Sequence, residues 1–586
     1  MTGNKRIIIV GGVAGGASAA ARARRLSEDS EIVMFERGDY ISFANCGLPY
    51  HIGGTVPERA DLLIQSPDAL RRRFRIDVRT AAEVLSIDRE RKQVAVKYLK
   101  TGKQENMGYD FLVLSPGAEP ARPPIPGVDS QRVFTLRNIP DMDRIKAVVD
   151  KETPKHAVIV GGGYIGLEMA EALRCRGVEV IMVEALNQVM NFIDPEMAAF
   201  LHQHLAQKGV DLHLQTTVTG FKDEGKIVEV RFSNGGSCKC DMAILAVGVK
   251  PEVRLAKEAG LKIGDFGGIV VDEHMATSDP SIFALGDAVE VKHLVGGFAT
   301  YIPLAGPANR QGRIAADNIF GRNSVYHKTQ GTAICKVFDL AVGVTGLIEK
   351  AARARNIPCE KIYIHPLHHA GYFPGAAPIT LKLLFSPLDG KVLGAQAIGA
   401  EGVDKRIDVL ATAIRAGMSV YDLENLELSY APPYGSAKDP VNFAGFVASN
   451  YLRGDVRICH TEDLVNAQPG QMLLDVRTPG EFKRGTIPGA INIPLDDLRA
   501  RLAEIPKDKE LLVFCQAGLR GYIACRILAQ KGFACKNLTG GYKIYQAAVG
   551  CKNPGELKKC DTGQAYESSI ADAKTTPPKK SGPGCG

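Results

Sequence analysis

No apolar run in this 586-residue chain is long enough to span a bilayer, and the one at the amino terminus is too short for a signal-peptide core. The amino-terminal MTGNKRIIIVGG passes from a short apolar run straight into glycines, so a cytoplasmic protein without a membrane partner is expected. Basic side chains nowhere alternate with aromatics along a stripe, and a net charge of +7 is mild for this length. No nucleic-acid partner is expected; the surplus suits a polyphosphorylated small molecule instead. The thirteen cysteines are odd in number and lack framework spacing, which excludes a disulfide scaffold and fits reduced thiols. Cys238 and Cys240 have no second pair and no nearby histidine to complete a ligand set, so no metal is expected. What remains, 45% hydrophobic and 23% charged, is an ordinary globular composition with room for roughly four domains.

The sequence is punctuated by two similar glycine turns. Arg6–Val10 reads as a buried strand and breaks at Gly11-Gly12-Val13-Ala14-Gly15-Gly16 before an Ala/Arg-rich helix. A further strand ends in Glu36-Arg37. Strand, glycine turn, helix and terminal carboxylate form the order a dinucleotide needs: amides and close backbone approach for the pyrophosphate, a carboxylate for the ribose. Val13 takes the place of the middle glycine, so this copy is imperfect. Downstream, His156–Val160 leads into a complete Gly161-Gly162-Gly163-Tyr164-Ile165-Gly166, and Val180–Val183 ends in Glu184. Two turns suggest two cofactors. Glu184 suits the free 2′-hydroxyl of NADH, and no Arg follows it to bind a 2′-phosphate. Apolar strands ending in small residues, Leu112–Leu114 and Ile244–Leu245 with Gly248 beyond, would carry the chain between domains.

Between the glycine turns lies Ser42-Phe43-Ala44-Asn45-Cys46-Gly47-Leu48-Pro49-Tyr50. A thiol beside a predicted flavin site is a redox centre or a buried structural cysteine, and Cys46 by itself leaves both open. A later strand ends at Gly286-Asp287.

With that Gly-Asp in place, the chain resembles the flavoprotein disulfide reductases with two dinucleotide-binding domains. The resemblance makes Asp287 a ligand of FAD, along with Gly11, Gly12, Ala14, Gly15, Gly16, Glu36 and Arg37. It puts Gly161, Gly163, Tyr164, Ile165, Gly166, Glu184 and Gly248 around NADH. Glutathione- and lipoamide-type members carry a second cysteine five residues on, where this chain has His51, so Cys46 must work through a mixed disulfide, a persulfide or a sulfenic acid. NADH oxidases and peroxidases carry a histidine in the first turn, where this chain has Ala14. The nine-residue stretch is similar to that of coenzyme A-disulfide reductases, as are His369-Ala370-Gly371-Tyr372 and Leu428–Tyr434 followed by Lys438-Asp439-Pro440. That family implies a homodimer with a shared active site, in which Tyr372 and Tyr430 of one subunit reach Cys46 of the other and donate to the leaving thiolate, with Tyr430 also near the flavin. It places Ser18, Arg22, Arg25, Ser42, Asn45, Asn309 and Lys438 around coenzyme A. Phe74 stands where the family has a cation, leaving Arg71, Arg73 and Arg75 as substitutes.

A further α/β segment from Ile458 resembles single-domain rhodaneses, through Asp475-Val476-Arg477 with Glu481-Phe482 and through Gly485–Pro494. Cys515, at a strand end before a helix, is placed to be a thiolate and carry a persulfide, and Arg520 to bind an anionic sulfur donor. The Lys/Gly/Pro/Ser-rich tail with Cys551, Cys560 and Cys585 reads as disordered.

The expected fold is therefore α/β: two Rossmann-like dinucleotide-binding domains, an α+β dimerisation domain and a C-terminal rhodanese. The expected bounds are 1–112 with 250–325 for FAD, 113–249 for NADH, 326–450 for dimerisation, 451–457 for a linker, 458–550 for the rhodanese and 551–586 for the tail. The expected activity is NADH-dependent reduction of coenzyme A persulfide or polysulfide, releasing hydrogen sulfide, and of coenzyme A disulfide. The rhodanese favours the sulfane-sulfur substrates. A sulfurtransferase with a regulatory flavoprotein part and an NADH oxidase are the alternatives.

Overall fold

β-Branched side chains fill the strand Arg6–Val10, and their alternation sends Ile8 and Val10 into one apolar cluster and Ile7 and Ile9 into another. A strand buried on both faces belongs in a covered parallel sheet. The computed structural model, which describes residues 4–465 and 468–552, contains that sheet. Its strands lie in the order Ile282–Ala284, Phe111–Leu114, Arg6–Val10, Glu31–Phe35 and Asp77–Arg79, all parallel. A second parallel sheet repeats the plan with Val133–Phe134, Met242–Leu245, His156–Val160, Glu179–Val183 and Val210–His213. In each, the strand that precedes the glycine turn is central, flanked by the next strand on one side and a late-arriving one on the other. That reversal of strand order opens a crevice at the carboxyl ends, where a dinucleotide binds.

Both sheets lie in one of two compact units, made of the chain up to Ala185 and Val210–Gly331. The other holds Leu186–Gly209 and the chain from Thr332 onward. Among the described residues no helix is long and apolar enough to cross a membrane.

The second unit has an antiparallel sheet in the order Ala333–Val337, Leu340–Gly346, Val392–Gly399, Ile379–Phe385 and Glu360–Ile364. The helix Val403–Ala416 lies so close that a Cβ on Gly343 would stand 2.7 Å from Ile407 Cγ1. Lys382, buried in this sheet, makes ion pairs with Asp194 at 2.8 Å and with Glu196 and Glu349 at 2.6 Å each. Taking one partner from such a buried cluster strands the rest without water, at a cost of about 3–5 kcal/mol. Asp194 and Glu196 begin the helix Pro195–Gln207, so this helix packs in the second unit although it interrupts the stretch read from the sequence as NADH-binding.

The rhodanese stretch forms a parallel sheet in the order Ile458–Cys459, Cys535–Leu538, Glu510–Phe514, Gln471–Asp475 and Ile491–Asn492. The linker expected over 451–457 loses its first two residues to a helix and ends where expected. The helix Pro440–Leu452 runs into it, and Ile458–Cys459 already pairs as an edge strand. The last helix, Gly541–Lys552, reaches just past the Gly550 boundary. The rest of the expected tail, with Cys560 and Cys585, lies outside the described residues, and so does the side chain of Cys551.

Candidate active site

The first glycine turn is held by backbone contacts that no side chain fits. Gly11 has φ +98°, and a Cβ there would lie 2.1 Å from the Ser115 carbonyl oxygen; one on Gly16 would lie 1.9 Å from that of Gly11. Glu36 closes the turn by accepting the Gly12 N–H at 2.9 Å and the Gly38 N–H at 2.8 Å. Gly11, Glu36 and Arg37 line a cleft of about 640 Å³ with Ala82, Glu83 and Arg137. On the late strand, Asp287 sits in a single 3₁₀ turn fixed by Gly286 N–H donating to Gln311 Oε1 (2.8 Å) and by Tyr301 O–H donating to the Asp287 carbonyl (2.9 Å). Burial pushes the Asp287 carboxyl above its usual range, with Arg137 opposing. Its carboxylate accepts no hydrogen bond among the described residues. A glycine turn, a carboxylate-closed cleft and an unpartnered acceptor across from it fit the phosphates, adenosine and ribityl hydroxyls of FAD.

The Cys46 stretch is tied to the same turn. Ser42, in the left-handed region at φ 45°, donates its N–H to the Gly12 carbonyl at 2.9 Å. Beyond it the chain turns helical. Asn45–Gly47 make one 3₁₀ turn and Leu48–Gly53 an α-helix, with Pro49 in its first turn and Gly54 ending it at φ 88°. Proline is at home there because its missing N–H has no intrahelical partner to lose. Cys46 is exposed. Burial in the surrounding wall raises its thiol pKa, and the charges of Glu168 and Asp287 raise it further. His51, at the position of a second cysteine in dithiol relatives, is buried and donates from Nδ1 to the Val56 carbonyl at 2.7 Å.

The second turn has the same design. Glu184 Oε2 accepts the Gly162 N–H at 2.7 Å, and Gly161 at φ +107° leaves only 2.4 Å between an added Cβ and the Ala246 carbonyl oxygen. Gly163 differs: a Cβ there would meet nothing within 4 Å, so this glycine keeps a space for something other than the protein. That space suits a nicotinamide dinucleotide pyrophosphate. Tyr164 and Ile165 begin the helix Tyr164–Cys175, and Gly248 lies at φ +97° beyond the Met242–Leu245 strand. Sequence reasoning missed Glu168, on that helix two residues past Gly166. It accepts from the Tyr50 hydroxyl at 3.3 Å, and burial, with Glu171 adding to it, raises its pKa to about 7. The spacing after Gly166 and the tyrosine beside Cys46 were its only signals.

Of the residues assigned to coenzyme A, Ser18 donates to the Asn309 side-chain oxygen, joining the helices Ala14–Leu26 and Ala305–Ile319. Arg22 is paired with Asp317 at 2.6 Å, and Arg25 is exposed on the same helix. Asn45 and Lys438 are exposed. Arg71 pairs with Asp68 at 2.8 Å and Arg75 with Glu28 at 3.7 Å. In the second unit the two assigned tyrosines meet: the Tyr372 and Tyr430 hydroxyls lie 3.2 Å apart, with the residues 76% and 49% exposed. The segment after Tyr430 ends at Asp439, which caps the helix Pro440–Leu452 and pairs with buried Arg406 at 2.8 Å.

Cys515 is buried at the end of the strand Glu510–Phe514, and the Gly518 N–H points at its Sγ from 3.1 Å. That amide stands at the start of the helix Leu519–Gln530. Arg520 is bound to Glu481 through both terminal nitrogens, at 2.6 and 2.8 Å. That bond raises the Arg520 pKa, and it holds Glu481 down at about 2 although burial opposes it. Arg477, quoted from the sequence only as part of a motif, is buried against Asp475 at 2.7 Å and lies 4.1 Å from the centre of the Tyr542 ring.

Residues 5–312 match the family model described as pyridine nucleotide-disulphide oxidoreductase, 332–439 its dimerisation domain, and 461–548 the rhodanese-like domain. The chain is 52% identical to reduced CoADR-RHD of Bacillus anthracis, with a TM-score of 0.91, covering 93% of this chain and 98% of that one. It is 39% identical to an NAD-dependent persulfide reductase from A. fulgidus, with a TM-score of 0.86, covering 92% of this chain and 100% of that one. It is 37% identical to an NADH oxidase of Methanocaldococcus jannaschii over 75% of this chain and 97% of the relative.

Three substitutions test this geometry. Gly163→Ala keeps the parental thermal midpoint and flavin content but raises the KM for NADH about ten-fold or more, because the new methyl occupies the pyrophosphate space. Gly161→Ala, with its carbonyl clash, loses stability instead. In Glu168→Gln a negative charge near Cys46 disappears, so the midpoint of Cys46 alkylation by iodoacetamide moves to lower pH. The gap from the parent is widest above pH 7, where the parental Glu168 is ionised, and closes well below it. An unchanged alkylation profile would separate the two groups.

Proposed function

The chain belongs to the pyridine nucleotide-disulphide oxidoreductase family, and from that membership we propose that it is an NADH-dependent FAD enzyme reducing sulfane sulfur carried on coenzyme A. Its substrates are coenzyme A persulfide and polysulfide, and by the same thiol chemistry coenzyme A disulfide. The observation that carries this reading is the presence of two unlike sulfur sites in one chain: an exposed Cys46 tied to the first glycine turn and a buried Cys515 under an amide. The likeness to a persulfide reductase over 92% of the chain supports the sulfane-sulfur version.

Flavin, when bound, supplies two-electron chemistry between a reduced nicotinamide and sulfur. Around it the chain's own groups divide the work. Gly11 to Gly16, Glu36 and Asp287 hold the flavin nucleotide; Gly161 to Gly166 hold NADH, with Glu184 at the ribose and no arginine after it to favour a 2′-phosphate. Cys46 as thiolate attacks the outer sulfur of coenzyme A persulfide, forms a Cys46 persulfide and releases coenzyme A thiolate; with coenzyme A disulfide it forms a mixed disulfide. In the homodimer, the Tyr372–Tyr430 pair of a second copy donates a proton to the leaving thiolate, and Lys438, Ser18, Arg22, Arg25, Ser42, Asn45 and Asn309 bind the coenzyme A chain. Cys515 carries sulfane sulfur, with Arg520 beside the donor. The free thiols suit a reducing, cytoplasmic compartment.

The test is anaerobic NADH oxidation with each substrate in turn. Sulfane-sulfur substrates turn over faster than coenzyme A disulfide and release hydrogen sulfide, and Cys46→Ser lowers the rate by roughly three orders of magnitude. Full activity in Cys46→Ser would overturn the mechanism, and rapid NADH use with oxygen alone would restore the oxidase reading that Ala14 opposes.

A further inference from the structure

We propose that the antiparallel sheet of the second unit positions the persulfide loop of the rhodanese fold, with His365 as the positioning residue; the proposal rests on Cys515 being the sulfur carrier. The strand Glu360–Ile364 is an edge of that sheet, where backbone groups lack a neighbouring strand. They are taken up by the rhodanese instead. The Tyr363 N–H donates to Thr539 Oγ1 at 3.0 Å, and His365 Nε2 lies 3.2 Å from the Gly540 carbonyl oxygen. On the same strand Lys361 pairs with Glu462 at 2.6 Å.

Thr539-Gly540-Gly541 is the turn between the strand Cys535–Leu538 and the helix Gly541–Lys552. It is clamped on both sides. A Cβ on Gly540 would lie 2.7 Å from Tyr363 Cβ, and one on Gly541 would lie 2.4 Å from the Cys515 carbonyl oxygen. Directly after it, the Tyr542 N–H donates to the Cys515 carbonyl at 2.8 Å and the Lys543 N–H to that of Gln516 at 3.1 Å. His365 is thus one turn away from the sulfur loop. Its tautomer is fixed: facing a carbonyl, Nε2 must carry the proton, so Nδ1 accepts from the Thr380 hydroxyl at 3.0 Å. Burial disfavours the charged imidazolium and keeps this arrangement neutral. A loop that must hold an amide on a sulfur atom gains from a turn that cannot shift, since small misplacement at a reacting centre is costly.

The experiment uses the full-length, FAD-loaded protein and two assays: sulfur transfer from thiosulfate to cyanide, and anaerobic NADH reduction of coenzyme A disulfide. His365→Leu lowers sulfur transfer at least about five-fold, as expected for a lost buried hydrogen bond, and leaves disulfide reduction at the parental rate. His365→Gln, which keeps a side-chain N–H donor, recovers most of the transfer, and Thr380→Val lowers it in the same sense as His365→Leu. Parental transfer in His365→Leu, with none in Cys515→Ser, overturns the positioning role. So does a parallel fall of both reactions without recovery in His365→Gln, which marks a residue needed only for folding. Parental transfer in Cys515→Ser overturns the reading of Cys515 itself, and the positioning role with it.

Discussion

A thiol with no second thiol on its own loop cannot close an internal disulfide, and this constraint shapes the catalytic half of the molecule. In the proposed function sulfur arrives from outside, and Cys46 stands exposed on a short helical turn. In the same reading it meets an electron carrier, and the Ser42 N–H ties its segment to the glycine turn that suits flavin phosphates. Burial and nearby carboxylates hold the thiol pKa up, so the resting residue is biased toward the neutral form. Glu168, which reaches the Cys46 helix through Tyr50, sits on the same helix as the second glycine turn and so links nicotinamide site and thiol by contiguous groups.

In the proposed function the second unit has a different task, to hold a persulfide without losing it to water. Cys515 is covered where Cys46 is open. Its loop is braced by Arg477 beneath and by the turn at Gly540 beside it. The sheet that provides this bracing is itself organised around Lys382 and its three carboxylates, whose geometry admits little movement. Rigidity here is built from charge, whereas in the nucleotide-binding sheets it is built from backbone packing that only glycine permits.

Features that depend on local pattern were legible in the sequence. Both glycine turns, their flanking strands and the carboxylates Glu36 and Glu184 follow from spacing alone, and the structure gives both carboxylates the same hydrogen bond to the turn. Cys515 was visible at a strand end before a helix, whereas Cys46 by itself left a redox and a structural role open and drew its reading from the family resemblance. The helix after Cys46 was not legible, since only six residues form it and Gly47 and Pro49 stand at its start. Pairings across long separations left no trace. Arg520 lies 39 residues from Glu481, and Lys382 lies 186 from Glu196, so the fixing of one and the burial of the other are properties of tertiary packing. Glu168 carried no periodic signal, because a single carboxylate on a helix reads as a solvated face until its burial is known.

Where sulfane sulfur resides in the loaded enzyme decides between one and two working thiols. The measurement is mass mapping of alkylated cysteines after anaerobic incubation of the oxidised, FAD-loaded protein with coenzyme A persulfide, before any NADH is added. An extra sulfur on Cys46 as well as on Cys515, with the Cys46 sulfur alone lost as hydrogen sulfide in the first turnover with NADH, is the predicted result. Extra sulfur on Cys515 with Cys46 an unmodified thiol throughout would contradict it.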